Sequence, residues 1–152
     1  MPHQLTNGRS VKRSHKKLPN YVADFETTTR KEDCRVWSWG IIKVGKLSDY
    51  RDGTSIDGFM THVAERAANV YFHNLAFDGS FIIDWLLKHG YTWKKESPGV
   101  REFTSLISRM GKFYSITVVF ETGYRVEFRD STRNYQCQLA QSLKPLIFMI
   151  KN

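Results

Sequence analysis

Residues 21 to 26 read Tyr-Val-Ala-Asp-Phe-Glu, an apolar run that ends in two carboxylates at i and i+2. In a strand that spacing puts Asp24 and Glu26 on one face. The Thr run from Thr27 onward marks a strand end rather than a solvated face. Two like charges so placed repel unless a cation lies between them, and oxygen-only donors suit Mg²⁺ or Mn²⁺. A chain whose core opens this way is committed to a sheet. An Asp-x-Glu on an exposed structural strand is common, however, and the pair alone does not fix a function.

The segments that follow decide which kind of sheet. Arg35 to Val44 is rich in aromatic and β-branched residues and reads as a second strand. Asp49 to Gly53 reads as a turn. Ser55 to Ala68 opens with a capping Ser and sets Ile56, Phe59, Met60, Val63 and Ala67 at helical spacing. Val70 to Phe72 is a short buried strand. Asp78 to His89 sets Phe81, Ile82, Trp85 and Leu86 on one face and stops at Gly90, a common helix terminator. Thr104 to Ser108, Phe113 to Glu121 and Tyr124 to Arg129 read as strands, with turns at Met110-Gly111-Lys112 and Thr122-Gly123. The order β-β-α-β-α followed by a meander predicts an α/β domain with a mixed sheet.

A second chemical segment lies about fifty residues after the first, at Tyr71-Phe-His-Asn-Leu-Ala-Phe-Asp-Gly79. Asp78 is placed at the start of a helix, where free backbone N–H groups can fix a carboxylate. Asn74 falls between a strand and that helix, where it serves either as a turn residue or as a contact to a phosphate or base edge. Tyr71, His73, Phe77 and Phe81 bracket the segment. Aromatic residues in this pattern either pack in a core or stack on unpaired bases, at roughly 1–3 kcal/mol per base; Phe81 is expected to belong at least partly to the core.

Charge needs its distribution as well as its sum. The net charge is +8, but residues 1–20 hold Arg9, Lys12, Arg13, Lys16 and Lys17 with no acid, and residues 131–152 hold Arg133, Lys144 and Lys151 with none. Between them, 15 basic residues balance 15 acidic ones. The basicity is therefore terminal: residues 1–20 read as a flexible arm, residues 21–131 as one domain, and 132–152 as a divergent segment for which a helix is expected. A chain of 152 residues suits one core. Cys34 and Cys137 make neither a disulfide framework nor a metal spacing and are expected to be reduced. No apolar run approaches the roughly 18 residues of a membrane span. The basic N-terminus has no apolar stretch behind it, as a secretory signal would.

Taken together, Asp24-Phe-Glu-Thr-Thr-Thr29, Glu32-Asp-Cys-Arg-Val-Trp37, Tyr71-Phe-His-Asn-Leu-Ala-Phe-Asp-Gly-Ser-Phe-Ile82 and Ile107-Ser-Arg-Met-Gly111 resemble the N-terminal 3′–5′ exonuclease domain of protein-primed family B DNA polymerases of phages and linear plasmids. The resemblance runs from about residue 21 to 131, and its first and third segments are specific as a pair. It implies a ribonuclease H-like fold and two-metal hydrolysis of a primer's 3′-terminal nucleotide, with Mg²⁺ or Mn²⁺ as cofactor. It matches Asp24 and Glu26 to the first exonuclease motif and Asp78 to the second, as catalytic metal ligands. Thr27, Asn74 and Phe77 match positions that hold the single-stranded 3′ end. Tyr71, His73 and Phe81 match further contacts to that strand or to the terminal protein, and Arg109 a position facing the terminal protein. The implied setting is a monomer in the cytoplasm of a phage's host, or in an organelle for a linear plasmid.

Departures begin at the end of the match. No acidic residue follows Asp130, so the third exonuclease motif's Tyr-x-x-x-Asp is absent. Asp130-Ser131 approaches the family's Ser/Thr-Leu pair, which assigns Ser131 to DNA binding, but Thr132 replaces the Leu. Arg133 to Gln138 is compatible with a shift of reading frame near codons 130–134. A missing fourth carboxylate implies weakened hydrolysis, and the polymerase palm is not represented. Three readings stand: an exonuclease-domain fragment of such a polymerase; a non-catalytic module that binds single-stranded DNA or terminal protein; and a decayed gene product, or an unrelated nuclease completed by a partner.

Overall fold

The computed structural model describes residues 17–28, 30–107 and 113–131. Their order is β1 (Asn20–Thr27), β2 (Val36–Lys43), β3 (Lys46–Gly53), α1 (Ile56–Val63), β4 (Ala68–Phe72), α2 (Leu75–Lys88), β5 (Thr92–Trp93), β6 (Glu102–Ile107), β7 (Phe113–Val119) and β8 (Arg125–Asp130). The strands form one mixed sheet in the order β3-β2-β1-β4-β8-β7-β6-β5. Antiparallel meanders β3-β2-β1 and β8-β7-β6 flank a parallel centre, in which β4 pairs with β1 on one side and β8 on the other. The α/β class and mixed sheet expected from the element order are what the chain forms.

Both helices pack on the same face. Tyr21, Ala23 and Phe25 of β1 meet Phe59, Met60 and Val63 of α1 and Leu75, Ile82 and Leu86 of α2, with Val70, Phe72, Val126 and Phe128 beneath. Phe25 is the hub, edge-on to Phe59 at 4.8 Å and to Phe72 at 4.9 Å. Edge-to-face contacts of this kind add to the area these rings bury. On the other face, Val22, Ile42 and Tyr71 form a smaller buried cluster with Val44 and Tyr50 against it. The Tyr50 hydroxyl is held up at about 12, first by burial and then by nearby Asp52.

Several boundaries differ from those expected. Asp49 to Gly53 is not a turn but the second half of β3, whose partner in register is β2. The reversal lies earlier, at Val44-Gly45, where Gly45 takes a φ of 84°. β3 is a solvent-facing edge strand, so its Lys, Asp and Arg residues carry a turn-like composition that in fact protects an edge. α1 stops at Val63, because Ala64 to Arg66 turn the chain into β4; Ser55 caps its start, accepting from the Gly58 N–H at 3.2 Å. α2 begins at Leu75, three residues before Asp78. β5 was not anticipated. The Thr122-Gly123 turn is present, with Gly123 at φ 86°. The Met110-Gly111-Lys112 turn, the arm through Lys16, Cys137 and the segment 132–152 lie outside the described residues; Cys34 is exposed. Among the described residues no helix is long and apolar enough to cross a membrane.

Candidate active site

Parallel strands end at the same edge of a sheet, and three adjacent ones do so here. Val22 of β1 is level with Tyr71 of β4, which is level with Arg129 of β8. Beyond those levels β4 ends at Phe72 and β8 at Asp130, so His73 and Ser131 open the segments that leave this edge, while β1 runs on through Asp24 and Glu26. The loop from β4 into α2 adds Asn74 and, one helical turn later, Asp78. Ligand sites of open α/β sheets form at such carboxyl edges.

Asp24 is 9% exposed and Asp78 6%, a degree of burial that carboxylates seldom have without partners; both are engaged within the protein. The faces can be told apart. Ala23 and Phe25 point into the helix-side core, so Asp24 and Glu26 project from the opposite face, beside Val22. Asp78 comes from the helix side, and so does Asp130, which shares its strand face with the core residues Val126 and Phe128. The carboxylates thus approach the edge from both faces. All are hard oxygen donors, the chemistry that suits Mg²⁺ or Mn²⁺. Among the described residues, no three His, Cys, Asp or Glu side chains stand together as a group able to hold an ion. The donor type fits a metal; a closed cage is not formed.

Asn74 stands at the entry to α2. It is the N-cap residue of α2, with φ −134° and ψ 73°, yet its side chain makes no capping bond. Its carbonyl accepts from the Phe77 and Asp78 N–H groups at 3.2 and 3.1 Å. The exposed carboxamide is therefore left toward solvent at the site edge. Asp78 is not the cap but an interior first-turn residue. Phe77 is 45% exposed and edge-on to Phe81 at 5.4 Å. Phe81 is half-buried against the core, as expected, and His73 is exposed. Thr27 ends β1 just past a register shift between Glu26 and Thr27, an irregularity that re-aims the side chains around it.

Tyr71 departs from its expected role. Its ring is 2% exposed, packed with Val22 and Ile42, because β4 alternates Phe72 toward the helices and Tyr71 toward the second cluster. No face of that ring is available to stack on a base. Arg109 lies outside the described residues. Ser131 is fully buried, and its hydroxyl oxygen has no hydrogen-bond partner. Sequence reasoning missed Arg129, which forms a two-pronged pair with Glu127 (2.9 and 3.1 Å). Glu127, followed by the Tyr71 hydroxyl, raises the Arg129 guanidinium above its ordinary value. The i, i+2 placement of Glu127 and Arg129 on one strand was the available signal.

Comparison with known proteins identifies the family and the fold. Residues 59–144 match the family model for DNA polymerase type B, organellar and viral. The DNA polymerase of Bacillus phage Nf is 43% identical over 132 residues, covering 86% of this chain and 22% of that protein. The DNA polymerase of Bacillus phage phi29 is 42% identical over 132 residues, with 86% and 21% covered. That of Streptococcus phage Cp-1 is 34% identical over 127 residues, covering 74% and 20%. The structure of phi29 DNA polymerase complexed with primer-template DNA and incoming nucleotide substrates superposes with a TM-score of 0.73 at 37% identity, covering 79% of this chain and 22% of that one. The structure complexed with single-stranded DNA gives 0.72 at 38% identity, covering 78% and 22%. The chain thus spans about a fifth of the length of the relatives it matches. It belongs to the organellar and viral type B DNA polymerases, as a match to their N-terminal α/β region.

Proposed function

We propose that this chain is the 3′–5′ exonuclease (proofreading) region of a protein-primed DNA polymerase, with a ribonuclease H-like fold, and that it binds the unpaired 3′ end of a DNA strand. The observation that carries the reading is the placement of buried Asp24, late in β1, and buried Asp78, in the first turn of α2, toward the carboxyl edge of three parallel strands, with an exposed Asn74 whose side chain is not spent on capping. Likeness to a polymerase complexed with single-stranded DNA supports the same substrate. Asp24, Glu26 and Asp78 would hold Mg²⁺ or Mn²⁺, which supplies an activated water and neutralises charge on the scissile phosphate.

The remaining roles belong to the chain itself. Asn74 and Thr27 donate hydrogen bonds to the terminal nucleotide. Phe77, supported edge-on by Phe81, offers its exposed ring to the last base, and His73 lies beside it. Ser131, fully buried, is left out of these contacts. Terminal protein is the second proposed partner, and monomer the proposed state. The phage relatives point to replication in a host cell's cytoplasm rather than in an organelle.

A second reading, a non-catalytic single-strand binding module, draws on the same open metal site. Mg²⁺-dependent shortening of a 5′-labelled single-stranded oligonucleotide separates the two, with Asp24→Ala/Glu26→Ala as control. Degradation by the parent and none by the double variant supports the nuclease. Equal inertness of both, with binding retained, leaves the binding module.

A further inference from the structure

We infer that the single-strand track continues along α2, away from the carboxylates, into a groove that stacks an unpaired base several nucleotides upstream of the 3′ end. The inference rests on the reading that this edge receives a DNA 3′ end.

From Phe77, α2 carries an aromatic side chain at each fourth position, Phe81 and Trp85, and His89 continues the spacing at its C-cap. Residues four apart lie one above the other on a helix, so these four make a single stripe. Its first pair touches edge-on at 5.4 Å, and its last pair is stacked at 3.9 Å and 16°. The stripe starts beside Asn74 and Asp78, within the candidate site, and runs roughly 18 Å at 1.5 Å per residue. A stacked strand advances about 3.4 Å per nucleotide, so the stripe matches about five nucleotides.

The far end is an open groove of about 380 Å³, floored by Phe81, Trp85 and His89 and walled by Cys34–Val36 and Thr54–Asp57. That volume falls in the range of small-ligand sites and suits one base rather than a folded element. The Asp57 carboxylate accepts from the Trp85 indole N–H, and His89 Nδ1 lies 2.8 Å from the Trp85 carbonyl, so the rings are pre-set rather than mobile. Lys88 and Arg35 also line the groove. Each is paired with an exposed carboxylate, Asp84 at 2.8 Å and Asp33 at 3.2 Å. Exposed pairs of this kind contribute little and exchange readily for a phosphate. With its charges balanced, the groove holds DNA chiefly through ring surface, and its binding is less sensitive to salt than a basic cleft's would be.

The test compares fluorescein-labelled oligothymidylates of three and eight nucleotides by anisotropy, in EDTA, with the full 152-residue chain. The parent is expected to bind the longer strand roughly ten- to a hundred-fold more tightly, the value of one or two stacked bases. His89→Ala, at an exposed ring, and Trp85→Leu should bring the eight-mer toward the three-mer and leave the three-mer unchanged. Circular dichroism confirms that each is folded, and His89→Ala carries the conclusion if Trp85→Leu is not. Asn74→Ala should weaken both strands. An eight-mer advantage that survives His89→Ala, or that vanishes between 50 and 200 mM salt, overturns the inference and leaves the groove to a polypeptide or the length effect to the basic termini. If the parent binds neither strand, the single-strand reading of the site itself fails.

Discussion

Replacing Gly53 with Ala is expected to be among the most damaging single-methyl changes in this chain. Gly53 ends β3 directly opposite Trp39 of β2. A Cβ there would sit 2.5 Å from Trp39 Cε2 and Cζ2 and 2.7 Å from its Nε1. The indole has little room to yield. It is 5% exposed, lies edge-on to Phe59 at 5.5 Å, stacks on His62 at 6.0 Å, and donates to the Ser55 carbonyl at 2.8 Å. Forcing a methyl into a packed core costs about 1–3 kcal/mol. Losing the indole hydrogen bond adds about 1 kcal/mol. For a chain of this length each kcal/mol moves Tm by about 2–4 °C, so a fall of roughly 5–15 °C follows. Two other glycines calibrate the result. Gly45→Ala meets open space but forces a positive φ, costing about 1 kcal/mol. Gly58→Ala lies in α1 at 3.4 Å from the Ser55 hydroxyl oxygen and should stabilise by about 0.5–1 kcal/mol. Thermal melts followed by near-ultraviolet circular dichroism read the series, since Trp39 reports directly. A Gly53→Ala protein that melts within about 1 °C of the parent, or no lower than Gly45→Ala, refutes the claim that the indole is pinned.

Three further outcomes follow from the geometry. His62 is held below its ordinary pKa of 6.5, chiefly by burial; the folded state then binds fewer protons, so stability is full above pH 6.5 and falls as pH drops below it. Urea midpoints between pH 7.5 and 5.0 should show that fall, and His62→Gln should flatten it. Ser55→Ala removes the cap of α1 and should cost about 1 kcal/mol in urea denaturation. Asp24→Ala/Glu26→Ala should lose Mg²⁺-dependent shortening of a labelled single strand while keeping its affinity for that strand in EDTA, and a loss of binding would show that the pair holds the fold rather than a metal.

How much could be read beforehand depended on where each residue's partners lie. β1 was legible because it is buried on both faces, so its apolar run is continuous. β3 was not, because an edge strand needs charge where an inner one needs hydrocarbon, and Lys46 to Gly53 then imitates a turn. The start of α2 was displaced because Asn74 caps without using its side chain, which left Asp78 as the more familiar opening residue. For the site, the periodicity of β1 placed Asp24 with Glu26. Tyr71 was misjudged because its neighbours Val22 and Ile42 lie 49 and 29 residues away in the chain, and no local pattern distinguishes a second core face from an exposed one. The burial of Ser131 and the pairing of Arg129 with Tyr71 depend on β8 reaching β4, which only the assembled sheet reveals.

That arrival sets an order of events. The two meanders need only neighbouring residues to zip, whereas β4 has no sequence-adjacent strand partner and waits on both sides for distant ones. Its pairings span 49 residues to β1 and 58 to β8, as Tyr21 to Val70 and Val70 to Phe128 show. Contacts of such separation form late, because the loop entropy must be met before they stabilise anything. During synthesis, then, Asp24 and Asp78 are made early but are not brought to one edge until β4 finds β1. Until residue 130 has emerged, the far side of β4 remains an unpaired ladder, open to any strand that reaches it first.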